Sequence, residues 1–252
     1  MKNRWIVILM VLVVLCLGGC QKNNGAESLT PTPEIAETNT PIPTSEPTAI
    51  ATPTPIPALE EEAEDSTGIT LTTYQWLENG YCPEVIFYPE LTEQGFAMRI
   101  VVKEENPKRD MTEHFGPIYK DSCVEWFVNF TPEAGDAYMN FEVNANGAML
   151  AEFHGSKRNT RSLTEEEVEQ LNIQTKVEET QWSVEYLVPF SLIETYFEGF
   201  EAKEELEILT NFYKCGDGTE FPHYGVWNPI DSKKPDFHRP EFFGKLVLRM
   251  EE

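Results

Sequence analysis

The stretch from Asn211 to Gly244 concentrates more chemically capable side chains than a connector needs. It reads Asn-Phe-Tyr-Lys-Cys-Gly-Asp-Gly-Thr-Glu-Phe-Pro-His-Tyr-Gly-Val-Trp-Asn-Pro-Ile, then Pro-Asp-Phe-His-Arg-Pro-Glu-Phe-Phe-Gly after a short gap. Flat rings stack on apolar C–H faces such as that of a pyranose, and planar amides and carboxylates form paired hydrogen bonds with adjacent hydroxyls. Trp227, between Gly225-Val226 and Asn228-Pro229, has the setting of a platform. Trp126 and Trp182 lie on the apolar side of regular alternations and read as core.

Other chemistries find less support. Glu125 and Glu142 could serve glycoside hydrolysis, which needs two carboxyls about 5–10 Å apart, but such pairs are common on an acidic sheet. No Gly-x-Ser-x-Gly, His-Glu-x-x-His or glycine-rich phosphate loop occurs. The formal net charge of −24 repels phosphate backbones and argues against nucleic acid. Calcium is compatible with so many carboxylates. Asp217, Glu220, Glu133 and Asp136 are its loop candidates, although no EF-hand spacing is present. Of the five cysteines, Cys82, Cys123 and Cys215 fall in the globular part. With no Cys-x-x-Cys spacing they indicate neither a zinc site nor a disulfide framework, and one pairing of undefined partners stays open.

Three segments follow from composition. Residues 1–19 have a basic start, an apolar run and Leu17-Gly18-Gly19-Cys20, which is similar to a lipoprotein signal with Cys20 as the lipidated residue. Residues 20–67 are rich in Thr-Pro repeats and end in an acidic run, which predicts a disordered tether. At ~3.1 Å per residue in polyproline II, it would reach on the order of 100 Å from a membrane. Residues 68–252 carry period-two runs at 95–102, 124–130, 139–145, 182–188, 207–213 and 243–248, with shorter ones at 85–88 and 148–153. They predict one antiparallel β-sandwich, jelly-roll-like, all-β apart from one or two short helices. One helix is expected after a capping box at Ser162–Glu165 and one at 191–196, while Lys157, Arg158 and Arg161 read as a solvated turn. Alternation puts Asn140, Glu142 and Asn144 on one face of their strand, and Glu125 and Asn129 join them if the two strands pair.

The segments Tyr119-Lys-Asp-Ser-Cys-Val-Glu-Trp-Phe-Val-Asn129, Asn140-Phe-Glu-Val-Asn144, Trp182-Ser-Val-Glu-Tyr-Leu-Val-Pro-Phe190, Asn211-Phe-Tyr-Lys-Cys-Gly-Asp217 and His238-Arg-Pro-Glu-Phe-Phe-Gly244 together resemble the carbohydrate-binding module family 9-like group. That group is related to the DOMON-type sandwiches. The resemblance implies a non-catalytic module that grips the end of a sugar chain between two aromatic rings and holds structural calcium. By position Trp227 matches one ring and Tyr119 is nearest to the other. Glu125 and Asn144 fall at polar sugar contacts, and Glu142 stands where sugar-binding members tend to carry arginine. The expected ligand set is Trp227, Tyr119, Glu125, Asn144, Glu142, Asn140 and His223, although loop histidines such as His223 and His238 more often satisfy backbone groups. The whole reads as a cell-surface lipoprotein that binds polysaccharide or oligosaccharide, beside glycan-degrading enzymes or a sugar uptake system. A DOMON-like haem or hydrophobic-cofactor module, or an adhesion domain, is the alternative.

Overall fold

The computed structural model describes residues 68–155 and 159–250; Cys20, the Thr-Pro tether, Lys157 and Arg158 lie outside them. The strands are β1 (Ile69–Thr70), β2 (Thr73–Tyr74), β3 (Glu84–Leu91), β4 (Gly95–Lys103), β5 (Cys123–Asn129), β6 (Tyr138–Asn144), β7 (Met149–Gly155), β8 (Asn159–Ser162), β9 (Gln174–Val177), β10 (Trp182–Pro189), β11 (Glu205–Cys215), β12 (Tyr224–Val226) and β13 (Gly244–Arg249). Helices α1 (Glu165–Glu169) and α2 (Phe190–Tyr196) follow β8 and β10.

One sheet runs β1-β3-β4-β10-β9 and the other β2-β12-β11-β5-β6-β7-β8, with β13 also paired to the long β11. Their registered strand pairs are antiparallel. The sandwich expected from the alternation is therefore present, and every apolar run read as a strand lies in one.

The core sits between the two sheets. Phe96, Met98, Ile100 and Val102 of β4 and Trp182, Val184, Tyr186 and Val188 of β10 meet Val124, Trp126 and Val128 of β5 and Met139, Phe141 and Val143 of β6. Alternation explains this, because successive side chains leave a strand on opposite faces. The indole N–H groups of Trp126 and Trp182 are satisfied by Thr210 Oγ1 at 2.8 Å and Glu104 Oε2 at 3.0 Å.

Burial on the far side of the larger sheet departs from a half-wet sheet. Every residue of β5 and β6 is buried, although more than half of them are polar or face away from the core. A second hydrophobic cluster covers that side: Phe127, Tyr138, Tyr213, Val226 and Ile230, with Trp76, Phe237, Phe242 and Phe243 against them. The stretch after β12 thus roofs the sheet.

Two local expectations are corrected. The capping box is Thr164–Glu167, two residues later than Ser162–Glu165. Ser162 instead ends β8, its hydroxyl donating to Glu152 at 3.0 Å. Arg161 belongs to that strand too, 3.5 Å from Glu167 and over the Tyr196 ring, so it is no turn residue.

Candidate functional site

The roof is fastened at both ends. Asn211 on β11 accepts from Asn228 N–H at 2.9 Å and donates to Asn228 C=O at 3.0 Å, which fixes where the chain leaves the sheet. Gln75 makes the same two-way contact with Ile230, at 2.7 and 2.8 Å. Trp76 donates from its indole to Ser232 C=O at 2.8 Å, with its own backbone at φ 51°, an uncommon conformation for an aromatic residue. Phe237 then lies flat on Tyr213, with ring centroids 4.2 Å apart and planes 7° apart. The Tyr213 hydroxyl donates to Phe237 C=O at 3.2 Å. His238 follows, 4.9 Å over Phe127 and 2.9 Å from the Tyr138 hydroxyl through Nδ1.

Where the roof stops, a cleft of about 250 Å³ opens, lined by Tyr119, Glu125, Glu142, Cys215, Asp217, Tyr224, Pro235, Asp236, Phe237 and His238. Its volume falls below the usual range for drug-sized ligands and suits a small, polar molecule or the end of a chain. Tyr119 projects from the 3-10 turn Ile118–Lys120 and is 40% exposed. The turn after β11 holds it: Asp217 and Gly218 N–H donate to Tyr119 and Lys120 C=O, each at 3.1 Å. A Cβ at Gly218 would stand 2.7 Å from the Lys120 carbonyl oxygen, too close to tolerate without movement. Gly218→Ala is therefore expected to displace Tyr119 and weaken any ligand stacked on it about tenfold, with a thermal midpoint lowered by only a few degrees; titration and thermal melts check this.

The floor is made by two carboxylates. Glu125 and Glu142 are direct partners across β5 and β6, 3% and 5% exposed. Burial, with nearby acids adding to it, holds the Glu125 carboxyl well above the usual range and pushes Glu142 up to about 8. Asn140 donates to Glu142 Oε1 at 3.0 Å and is itself met by His154 Nε2 at 2.7 Å. A raised carboxyl keeps its proton in the folded state after the unfolded chain has released it. Its cost to stability therefore grows from about pH 4.5 and is complete above pH 8. Glu142→Gln is expected to stabilise the fold by about 2–4 kcal/mol at pH 8.5 and to leave it unchanged at pH 4, as denaturant melts at the two pH values would show.

The structure brings Tyr119, Glu125 and Glu142 of the expected set together, and places the other four elsewhere. Trp227 follows Val226 by one residue and so faces the opposite way, packing on the core 5.6 Å from Phe212. The aromatic wall it was expected to give comes from Phe237 and Tyr224. His223 is buried on that same side, with Nε2 at 2.7 Å from Lys214 Nζ and Nδ1 at 2.7 Å from Phe221 C=O. Asn144 is consumed by its own loop, donating to Asp121 Oδ2 and Met111 C=O and accepting from Asn146 and Ala148 N–H. Asn140, two residues from Glu142 on the same strand, holds its carboxyl by donating to it. Phe237, Tyr224, Asp217 and Asp236 complete the cleft without having been singled out as its lining. Only parity could have found Tyr224, which shares a face with Val226 and Tyr213.

A larger depression of about 450 Å³ lies between Glu105–Arg109 and Val177–Thr180, but no aromatic ring lines it. The expected calcium ligands Glu133, Asp136, Asp217 and Glu220 are all exposed. Among the described residues the one group with metal-ligand spacing is Cys123, Glu125 and Cys215, with no ring of oxygens of the kind calcium prefers.

The family model for carbohydrate-binding family 9 matches residues 58–248. No curated protein sequence matches significantly. Among solved structures, a Bacteroides uniformis ATCC 8492 protein assigned as carbohydrate-binding is 28% identical, with TM-score 0.64, over 73% of this chain and 86% of its own. A family 9 module from Caldicellulosiruptor kristjanssonii matches in fold both in complex with cellotriose (12% identity, TM-score 0.54, 78% and 91% of the two chains) and in complex with glucose (10%, 0.54, 77% and 90%).

Proposed function

The chain belongs to carbohydrate-binding family 9, and from that premise we propose that it binds a saccharide in the cleft between Tyr119, Tyr224 and Phe237 without cleaving it. The observation that carries this reading is the composition of the cleft: rings on its walls and two buried carboxyls on its floor. Rings take the C–H faces of a pyranose, and carboxyl groups take pairs of hydroxyls. The small volume favours a monosaccharide or the terminal unit of a chain over a stretch of polymer.

Hydrolysis needs one carboxyl protonated and its partner ionised, on opposite sides of the scissile bond. Here the two carboxyls are cross-strand neighbours on one floor, and their surroundings raise both. That arrangement supports binding over turnover. Calorimetric titration with glucose, cello-oligosaccharides and xylo-oligosaccharides, with product analysis on the same samples, is expected to show saturable binding and no released sugar. Sugar release that depends on Glu125 or Glu142 would overturn the non-catalytic reading.

The domain would work at the outer surface of a cell, tethered through Cys20 and the Thr-Pro segment, retaining glycan fragments for neighbouring degrading enzymes or an uptake system. Cys20→Ala is expected to move the protein from the membrane fraction to the soluble fraction, read by fractionation and immunoblot.

A further inference from the structure

Cys123 and Cys215 are Cα partners across β5 and β11, so their side chains leave the sheet on the same face, two residues from the Glu125–Tyr213 pair. The Cys215 thiol lies 2.9 Å from Glu125 Oε1. One ligand atom from each of Cys123, Cys215 and Glu125 falls within 4.8 Å of the other two. Ligand atoms of a tetrahedral zinc site are about 3.5–3.8 Å apart, given Zn–S near 2.3 Å and Zn–O near 2.0 Å, so no separation need close by more than about 1 Å, and the Cys215–Glu125 pair opens by about 0.6 Å. All three residues are nearly fully buried, at 0%, 1% and 3% exposure. Cys215 and Glu125 also line the cleft, which gives an ion a way in, while Cys123 lies beneath them.

We propose that Cys123, Cys215 and Glu125 form a binding site for a thiophilic divalent cation, zinc above all, at the base of the cleft. Two sulfurs and one oxygen select zinc or a similarly soft ion against calcium or magnesium, which take oxygen ligands. On binding, both S–H bonds and the Glu125 O–H bond break, two metal–sulfur bonds and one metal–oxygen bond form, and the three protons pass to solvent; no electrons are transferred. Glu142, next to Glu125 across the sheet and on the same cleft, is the protein group available for a fourth position. Occupancy exchanges the protons that these buried groups hold for a divalent cation, and the Lys214 side chain leaves β11 on the opposite face. The site does not depend on the saccharide reading, since its ligands and ion are the same whatever enters the cleft above.

The test is titration of the reduced, chelator-treated protein with cobalt(II) and then zinc(II). The expected result is one tetrahedral cobalt site with the thiolate-to-metal charge-transfer intensity of two sulfurs, displaced by zinc, with about three protons released per ion, two from the thiols and one from Glu125. Cys82→Ser, which changes the exposed thiol, should leave the spectrum intact. Cys123→Ser or Cys215→Ser should cut the thiolate band to half or less, replacing both should remove it, and Glu125→Gln should weaken binding about 10–100-fold with the band retained. Circular dichroism identifies any variant that fails to fold, and the wild-type band intensity and proton count then decide alone. The proposal is overturned by a wild-type protein that shows no thiolate band, by a band that survives loss of both buried cysteines, or by a Cys123–Cys215 disulfide in protein isolated without reductant. Saccharide titration of the metal-free protein separates the two readings: binding there with no cobalt site sinks the metal site alone, and a cobalt site with no saccharide binding sinks the saccharide reading alone.

Discussion

Phe237→Ala is expected to weaken saccharide binding about 10- to 100-fold while the thermal midpoint changes by only a few degrees. The ring supplies one wall of the cleft, and removing a stacked aromatic face costs about 1.5–3 kcal/mol of binding. The fold should survive because the roof is held elsewhere, by Asn211, Gln75 and Trp76. Tyr213 would lose its stacking partner yet remain packed in the sheet against Phe127. Trp227→Ala should behave in the opposite way. Its ring packs on the core, so stability falls by about 2–4 kcal/mol while any protein still folded keeps its affinity. Titration and melts on the same two variants distinguish wall from core.

The second large effect concerns Lys214. This ammonium is fully buried, 3.5 Å from Glu104, 2.7 Å from His223 Nε2 and 2.9 Å from Cys215 C=O. Burial pushes the Glu104 carboxyl up, but Lys214, with Trp182 and other donors, more than offsets it and holds the group below its usual range. Lys214→Met leaves that carboxylate buried without its cation, which costs about 3–5 kcal/mol. Adding Glu104→Gln should recover most of the loss, a rescue that a pure packing defect would not show.

The same network sets an acid limit. Burial and the neighbouring Lys214 hold His223 down at about 4, so the folded protein keeps it neutral while the unfolded chain takes up a proton below 6.5. Its contribution to stability is present above pH 6.5 and is lost as pH falls toward 4. Glu104 acts lower still, its contribution present above the ordinary carboxylate range and lost as pH falls through its depressed value.

Most of the sandwich was legible because alternation is a property of single strands. Met139-Asn-Phe-Glu-Val-Asn144 states both its core face and its polar face, and the pairing of Glu125 with Glu142 follows once β5 and β6 are neighbours. Strands β8 and β9 were not legible. They are four-residue edges, exposed throughout, with no apolar period to mark them. The site was only partly legible, for a geometric reason. Trp227 and Phe237 look alike in sequence, as rings in one loop two residues from a proline, but one residue of parity past Val226 turns Trp227 toward the core, against which it is partly buried. The stack on Tyr213 sets Phe237 at the cleft instead. That choice depends on where the roof crosses the sheet, and the crossing is fixed by Gln75 and Trp76, far away in the chain. The amides misled in a similar way. Asn144 and Asn140 lie on the polar face, but loop carbonyls, Asp121 and Glu142 take up their hydrogen bonds.

The most direct measurement of where a ligand sits is a saccharide titration followed by amide chemical shifts. The account predicts saturable shifts at Tyr119, Glu142, Asp217 and Phe237, with Trp227 and His223 unmoved. Saturable shifts centred on Trp227 or on the depression at Glu105–Arg109 would contradict it.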